Sequence, residues 1–407
     1  MDHQGLAFSV MLVGGLTALT VMLGTAMGRL RLPPLVGFIL LGFLVRLGDA
    51  ELHFLPDRLR GLLPLLGGIG VIALLFRVGL ESDLRQLVRQ LRNASVIWVC
   101  NVVLTAATAW LAMRHLLGAD ILASMFVAVA LSATSIGVSV GVWSDAGAMR
   151  SRHAAVLLDA AELDDLSSVA LMALLLAVAP HVAGAGDAWP WDVVAVSGWR
   201  FLWMFGLFAA GCWLLALVAE RAFSNGLSRL LGRTEITVLA TGLAVAVAGI
   251  ADLLGFSLAV GALFAGLALS RHRARIADDH AQRTVHELFV PFFFIGIGFA
   301  VDPAVVGDGL AVGLPLLLLA AAAKFAGTAV PALLAMRAKG AVLLGVSMVP
   351  RAEIAMVVAQ YGLEAGYLPP RLYAAMVVVS LGSCLVAPTV LHALMRRWPE
   401  AVRGGGE

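Results

Sequence analysis

The chain has 407 residues, of which 61% are hydrophobic and only 13% charged, with a mean hydropathy of +0.95. A soluble domain of this length carries about twice that charge, so a soluble globular protein is excluded. The net charge of +2 points to no class of partner, nucleic acid included, and Cys100, Cys212 and Cys384 lie in apolar runs without disulfide or metal-ligand spacing.

Apolar runs near 20 residues recur from end to end, which predicts an all-α polytopic membrane protein whose helices satisfy their own backbone groups in lipid. The first run, 6–27, is too long for a signal-peptide core and is followed rather than preceded by basic residues, so it reads as a retained helix. Thirteen spans are predicted, at about 6–28, 33–47, 60–80, 93–113, 119–143, 153–181, 199–220, 234–251, 256–270, 286–301, 309–336, 340–362 and 370–395. The Pro/Trp/Gly stretch 182–198 reads as a loop outside the membrane, and 403–407 as a disordered tail. Short loops leave no room for a soluble regulatory domain, so residues 1–407 read as a single transmembrane domain.

Positive charge alternates across these spans. Nineteen of the 28 Lys and Arg residues fall on one side, among them Arg29, Arg85, Arg152, Arg221, Arg271, Arg337 and Arg396. Six fall on the other, and Arg77, Lys324 and Arg351 lie within spans. The positive-inside rule then places the N-terminus outside and the C-terminus in the cytoplasm.

An internal repeat is legible. Val36-Gly37 with Gly42 in span two matches Val260-Gly261 with Gly266 in span nine. Gly79 to Asp83, ending span three, matches Gly298 to Asp302, ending span ten. The offsets are 224 and 219 residues, and each match jumps seven spans. An odd jump reverses direction through the bilayer, so the halves are inverted repeats: about 6–181, a linker helix at 199–220, and about 234–395.

Two repeat-related spans are interrupted. Span five carries Leu131-Ser132-Ala133-Thr134-Ser135-Ile136-Gly137, and span twelve carries Met348-Val349-Pro350-Arg351-Ala352-Glu353. Proline removes an amide donor and clashes with the preceding turn, while Ser and Thr can re-satisfy freed backbone groups. Paired interruptions of this kind point to a transporter's binding site, although small residues alone also serve close packing.

Span six contains Asp164 and Asp165 in the middle of an apolar run, and span eleven contains Lys324, one of only two lysines. A charged group at mid-membrane costs about 2.5–3.5 kcal/mol on insertion scales, so chains that keep one usually use it to move charge. Adjacent helical residues point about 100° apart, which gives the two aspartates different surroundings. One can pair with a cation such as Lys324 while the other faces a wet cavity and takes a hard monovalent ion or a proton. A purely structural pair that fixes helix register is the alternative. Glu162 either pairs with Arg351 or lines an access path with Asp159, and Arg351 and Glu353 can equally satisfy each other's helix ends. Arg77 lies one turn before Glu81, near a helix end, and is expected to snorkel or to pair locally.

These pieces together resemble the monovalent cation:proton antiporter superfamily, on its Nap/Kef-type side. The matching segments run from Leu32-Pro33-Pro34-Leu35-Val36-Gly37 to Pro388. They include Leu74 to Glu81, Ser132-Ala133-Thr134, Leu163-Asp164-Asp165, Gly255-Phe256-Ser257-Leu258, Phe292-Phe293-Phe294, Lys324-Phe325-Ala326-Gly327 and Pro350-Arg351-Ala352-Glu353. The resemblance implies a sodium/proton antiporter fold with two discontinuous crossing helices. It assigns ion binding to Asp165, lysine pairing to Asp164, and the counter-charge to Lys324. Asp165 and Asp164 are then the Na⁺ site, with Thr134 and Ser135 beside it and Arg351 and Glu353 compensating charge. The implied activity is electrogenic Na⁺ (or Li⁺)/H⁺ antiport without a cofactor, by a homodimer in a bacterial-type inner membrane. In it, spans four to six and eleven to thirteen would slide against a dimerisation panel made mainly of spans one to three and eight to ten.

K⁺/H⁺ exchange at the same site is the alternative. A Na⁺-coupled organic-anion symporter would need anion-binding groups beyond Arg351. An intramembrane aspartyl protease would need its aspartates on separate helices with a Gly-x-Gly-Asp motif, and a channel would need a filter sequence. The chain departs from the family pattern at Arg77, at Ala352 where glycine is usual, and in the extra acid Glu162.

Overall fold

The computed structural model of the chain describes every residue except 1–2, 31, 54, 56, 83, 150, 184–190, 223–231, 277–279 and 403–407. The expected tail, part of the expected 182–198 loop, and Arg31, Arg150, Arg229 and Arg403 therefore lie outside the described residues.

Each predicted span coincides with a helix or a broken pair of helices. These are α1 (His3–Arg29), α2 (Pro34–Leu52), α3 (Asp57–Glu81), α4 (Leu84–Leu111), α5 (Ile121–Ser132) with α6 (Ile136–Asp145), and α7 (Arg152–Ala183). Then follow α8 (Trp191–Ala222), α9 (Arg233–Leu253), α10 (Leu258–Leu269), α11 (His280–Phe299), α12 (Val306–Ala332), α13 (Ala338–Ser347) with α14 (Glu353–Glu364), and α15 (Pro370–Arg397). Among the described residues, nine helices are long and apolar enough to cross a membrane. Of the remaining spans, α2 carries Arg46, Asp49 and Glu51, α11 opens on charged and histidine residues, α10 is short, and the α13/α14 pair is broken into halves. The expected 182–198 loop is shorter than predicted, because α8 already begins at Trp191. Trp and the β-branched valines that follow are as compatible with a helix as with a loop, so composition misplaced that start.

The chain divides into two compact units. The first comprises Met1–Leu84 and Leu176–Ala300, the second Arg85–Leu175 and Val301–Glu407.

In the first unit α3 packs along α10 and α11, α2 along α11, and α9 along α10. Glycines set how near these helices come. A methyl on Gly42 would overlap the Ile295 carbonyl, and one on Gly298 the Ile39 carbonyl. Likewise Gly79 meets the Leu263 carbonyl and Gly266 the Phe76 carbonyl. The internal repeat exchanges these two crossings: it relates Gly42 to Gly266 and Gly79 to Gly298, so the α2–α11 contact maps onto the α10–α3 contact. Removing Cβ lets two backbones touch, which is how helices associate where the surroundings are as apolar as the side chains. Arg77 pairs with Glu81 at 2.9 Å, as expected from their spacing. Arg271 pairs with Glu220, and Arg273 reaches the Glu81 carbonyl at the end of α3.

In the second unit α12 packs along α13 and α15, and α14 along α5 and α15. Its core joins Trp143, Leu157, Ala160, Leu343, Leu344, Met348 and Leu391. Trp143 Nε1 donates to Ser347 Oγ at 2.9 Å, and Ser139 Oγ donates to the Ser347 carbonyl at 2.6 Å, which ties α6 to α13. The lysine outside the site, Lys339, makes a surface pair with Glu400, and this bond holds the Glu400 carboxyl below its usual range.

Candidate ion-binding site

All the polar residues of the candidate site lie in the second unit. Its frame is the meeting of the two helix breaks. Between α5 and α6 the backbone is extended, with Ala133 at φ −64°, ψ 156° and Ser135 at φ −92°, ψ 98°. Between α13 and α14, Pro350 interrupts the ladder. The Ser135 amide donates to the Pro350 carbonyl at 2.8 Å, so the two breaks touch through their backbones.

A broken helix leaves unpaired carbonyls at one end and unpaired amides at the other, with partial charges to match. Two cations answer the carbonyl end of α5. Lys324 Nζ donates to the Ser132 carbonyl, and Arg351 Nη1 donates to the Ala133 carbonyl at 3.1 Å. Arg351 also reaches the Val349 and Ala320 carbonyls at 3.4 and 3.5 Å. Its own backbone is clamped from α15: the Arg351 amide donates to Ser383 Oγ, and its carbonyl accepts from Ser380 Oγ. Arg351 therefore answers helix ends. Glu353 opens the first turn of α14, where a negative charge meets the positive end of a helix.

The aspartates have the different surroundings that their 100° separation requires. Asp164 is fully buried, and its Oδ2 accepts three hydrogen bonds: from Lys324 Nζ at 2.8 Å, Thr134 Oγ1 at 2.7 Å and Asn101 Nδ2 at 2.6 Å. Both side chains of the Asp164–Lys324 pair are 0% exposed. Asp165 is half-buried, and its Oδ1 accepts no hydrogen bond among the described residues. The same holds for the buried Ser135 Oγ and for Asp164 Oδ1. Buried polar atoms are normally paired, and these three oxygens have no protein partner among the described residues. Glu353, Asp164 and Glu162 act on Asp165 as like charges, and Lys324 as the opposing one. Glu162 and Asp159 are half-buried on the preceding turns of α7.

Thr134 donates its hydroxyl hydrogen to Asp164, which leaves its oxygen lone pairs free of that bond. Asn101 on α4 was not singled out by sequence. An amide in the middle of span four is a weaker anomaly than a carboxylate in span six, because it carries no charge. Ser380 and Ser383, which clamp Arg351, carry no such signal, because serine is common in membrane helices.

A family model described as "Sodium/hydrogen exchanger, transmembrane" matches residues 15–397. The chain is 28% identical over 374 residues to the Na(+)/H(+)-K(+) antiporter GerN of Bacillus cereus, covering 91% of this chain and 92% of that one. It is 25% identical over 371 residues to a Na(+)/H(+) antiporter of Enterococcus hirae, covering 91% of this chain and 93% of that one. Among solved structures, the sodium proton antiporter MjNhaP1 of Methanocaldococcus jannaschii matches with a TM-score of 0.68 at 16% identity, covering 99% of this chain and 100% of that one. That likeness is one of fold. With the family model spanning all but the ends, the chain belongs to the transmembrane sodium/hydrogen exchanger family.

Proposed function

We propose that this chain exchanges Na⁺ or Li⁺ for protons by binding them in competition at Asp165. One observation carries the proposal: two neighbouring carboxylates, one loaded with three donors on a single oxygen and the other with an oxygen that accepts none. Asp164 is committed to Lys324. Asp165 is left to bind either a proton, which neutralises it, or a cation, which pairs with it. A carboxylate within a membrane span is costly when it has neither, so the carrier crosses loaded with one or the other. Ser135 Oγ, Asp164 Oδ1 and carbonyls of the broken helices are oxygen ligands of the kind a hard cation prefers. Arg351 and Glu353 compensate charge at the crossing, and Glu162 and Asp159 line the access path.

One proton per Na⁺ would be electroneutral. If Lys324 also gives up and regains a proton during the cycle, two protons move per Na⁺ and transport carries current; we take this electrogenic cycle as the reading. The whole site lies in the second unit, which suits an elevator-type cycle with that unit as the carrier. A homodimer formed through the first unit, and a bacterial plasma membrane with the N-terminus outside, follow from the family resemblance and the arginine distribution. No cofactor enters the cycle.

A second reading, K⁺/H⁺ exchange at the same carboxylate, draws on the similarity to GerN, whose name includes K⁺. Proton movement in proteoliposomes driven by Na⁺, Li⁺ and K⁺ in turn separates the two. Na⁺- and Li⁺-driven proton movement with a measurable current is expected. Movement driven by K⁺ alone would reassign the cation, and cation flow without proton movement would contradict exchange.

A further inference from the structure

Asp164 carries its hydrogen bonds in an unusual distribution. A carboxylate has two oxygens and about four lone-pair sites. Here Oδ2 takes all three donors and the equally buried Oδ1 takes none. The donors come from three different elements: Asn101 from α4, Thr134 from the break after α5, and Lys324 from α12. Three directional bonds from three sides fix the plane of the group as well as its position.

Asn101 is the donor with the least evident reason to be there. It is fully buried, and its own Oδ1 finds no donor. Only the amide nitrogen can face an ionised carboxylate, so the carbonyl is turned away and left unsatisfied. A leucine of similar size would avoid that cost, and the amide contributes only its N–H. Close packing brings it into range: a Cβ on Gly327, one turn after Lys324, would stand 2.9 Å from Asn101 Cα.

We propose that Asn101 is a positioning residue, which pins Asp164 through Oδ2 and so keeps Oδ1 open as a second carboxylate ligand for the transported cation. The inference rests on cation exchange at this site. Without the α4 bond, the carboxylate can turn and the Lys324 ammonium, which has three donors, can bridge both oxygens. Oδ1 is then taken up by lysine and lost to the ion, while Asp165 is untouched.

The test is Na⁺-driven exchange in proteoliposomes for wild type, Asn101→Ala and Asn101→Leu; alanine leaves a gap, leucine fills it, and neither donates. The half-saturating Na⁺ concentration should rise about tenfold in both, the factor one charge-assisted hydrogen bond is worth. The rate at saturating Na⁺, per folded transporter, should stay within about twofold, because a change confined to cation binding leaves the loaded carrier intact. A half-saturating concentration unchanged from wild type, whatever the maximal rate, would overturn the proposal. Loss of folding in both variants would assign Asn101 to helix packing and overturn it equally. Absence of Na⁺-driven exchange in wild type would instead be a failure of the exchange reading itself.

Discussion

Asp165→Asn should abolish exchange while leaving the protein folded. The substitution keeps the shape of the side chain and removes the charge. Asp165 Oδ1 accepts no hydrogen bond among the described residues, so no protein–protein bond to it is lost. Glu353, Asp164 and Glu162 act on the position as like charges, against the opposing charge of Lys324, and neutralising it relieves the repulsion. Stability should therefore hold or rise slightly. Transport should not survive, since an amide can neither take up a proton nor neutralise a cation. Exchange by the purified variant in proteoliposomes, with unfolding followed in parallel, checks both halves. Wild-type exchange rates would place the ion elsewhere, and loss of folding would make Asp165 a structural residue.

Asp164→Asn should have the opposite signature. It breaks a buried ion pair by removing one partner, which costs about 3–5 kcal/mol because the other charge is left uncompensated. An amide oxygen can still accept from Thr134 and Asn101, but the Lys324 ammonium would keep the Ser132 carbonyl and lose the carboxylate it pairs with directly. The unfolding midpoint should fall clearly below that of Asp165→Asn. Asp164→Asn/Lys324→Gln removes both charges and keeps hydrogen-bonding shapes, so it should recover most of the lost stability and carry less charge per turnover. A single Asp164→Asn variant as stable as wild type would contradict a stabilising pair.

The difference between these variants also marks where sequence stops being legible. Span positions were readable because apolar runs and their punctuation are local, and α2 and α11 were found despite their charged ends. Both helix breaks were readable because Pro350 and the Ser/Thr patch at 132–135 are local anomalies. Asp164, Asp165 and Lys324 announced themselves by the cost of charge in an apolar run. Partners were not readable where geometry decides them. Arg351 is expected to pair with Glu162 or to satisfy helix ends with Glu353; its guanidinium answers the Ala133, Val349 and Ala320 carbonyls, and which ends it meets was not readable, because a broken helix exposes acceptors that no residue type reveals. Asn101 went unremarked because its importance lies in which oxygen of Asp164 it reaches. The repeat was legible as paired glycines, but only packing shows that Gly42 meets α11 at the Ile295 carbonyl as Gly266 meets α3 at the Phe76 carbonyl.

Competition between Na⁺ and protons for one carboxylate is the central claim, and the half-saturating Na⁺ concentration measured against pH tests it most directly. A protonated Asp165 offers no net charge to a cation, the charge of Asp164 is offset by Lys324, and the broken helices supply only dipoles. Where the site is mostly protonated, the half-saturating concentration should therefore rise about tenfold for each unit by which pH falls, and it should level off once the carboxylate is ionised. Currents recorded on a solid-supported membrane across pH and Na⁺ concentration give this curve for the wild-type protein. A half-saturating Na⁺ concentration that stays flat as pH falls would contradict a shared site.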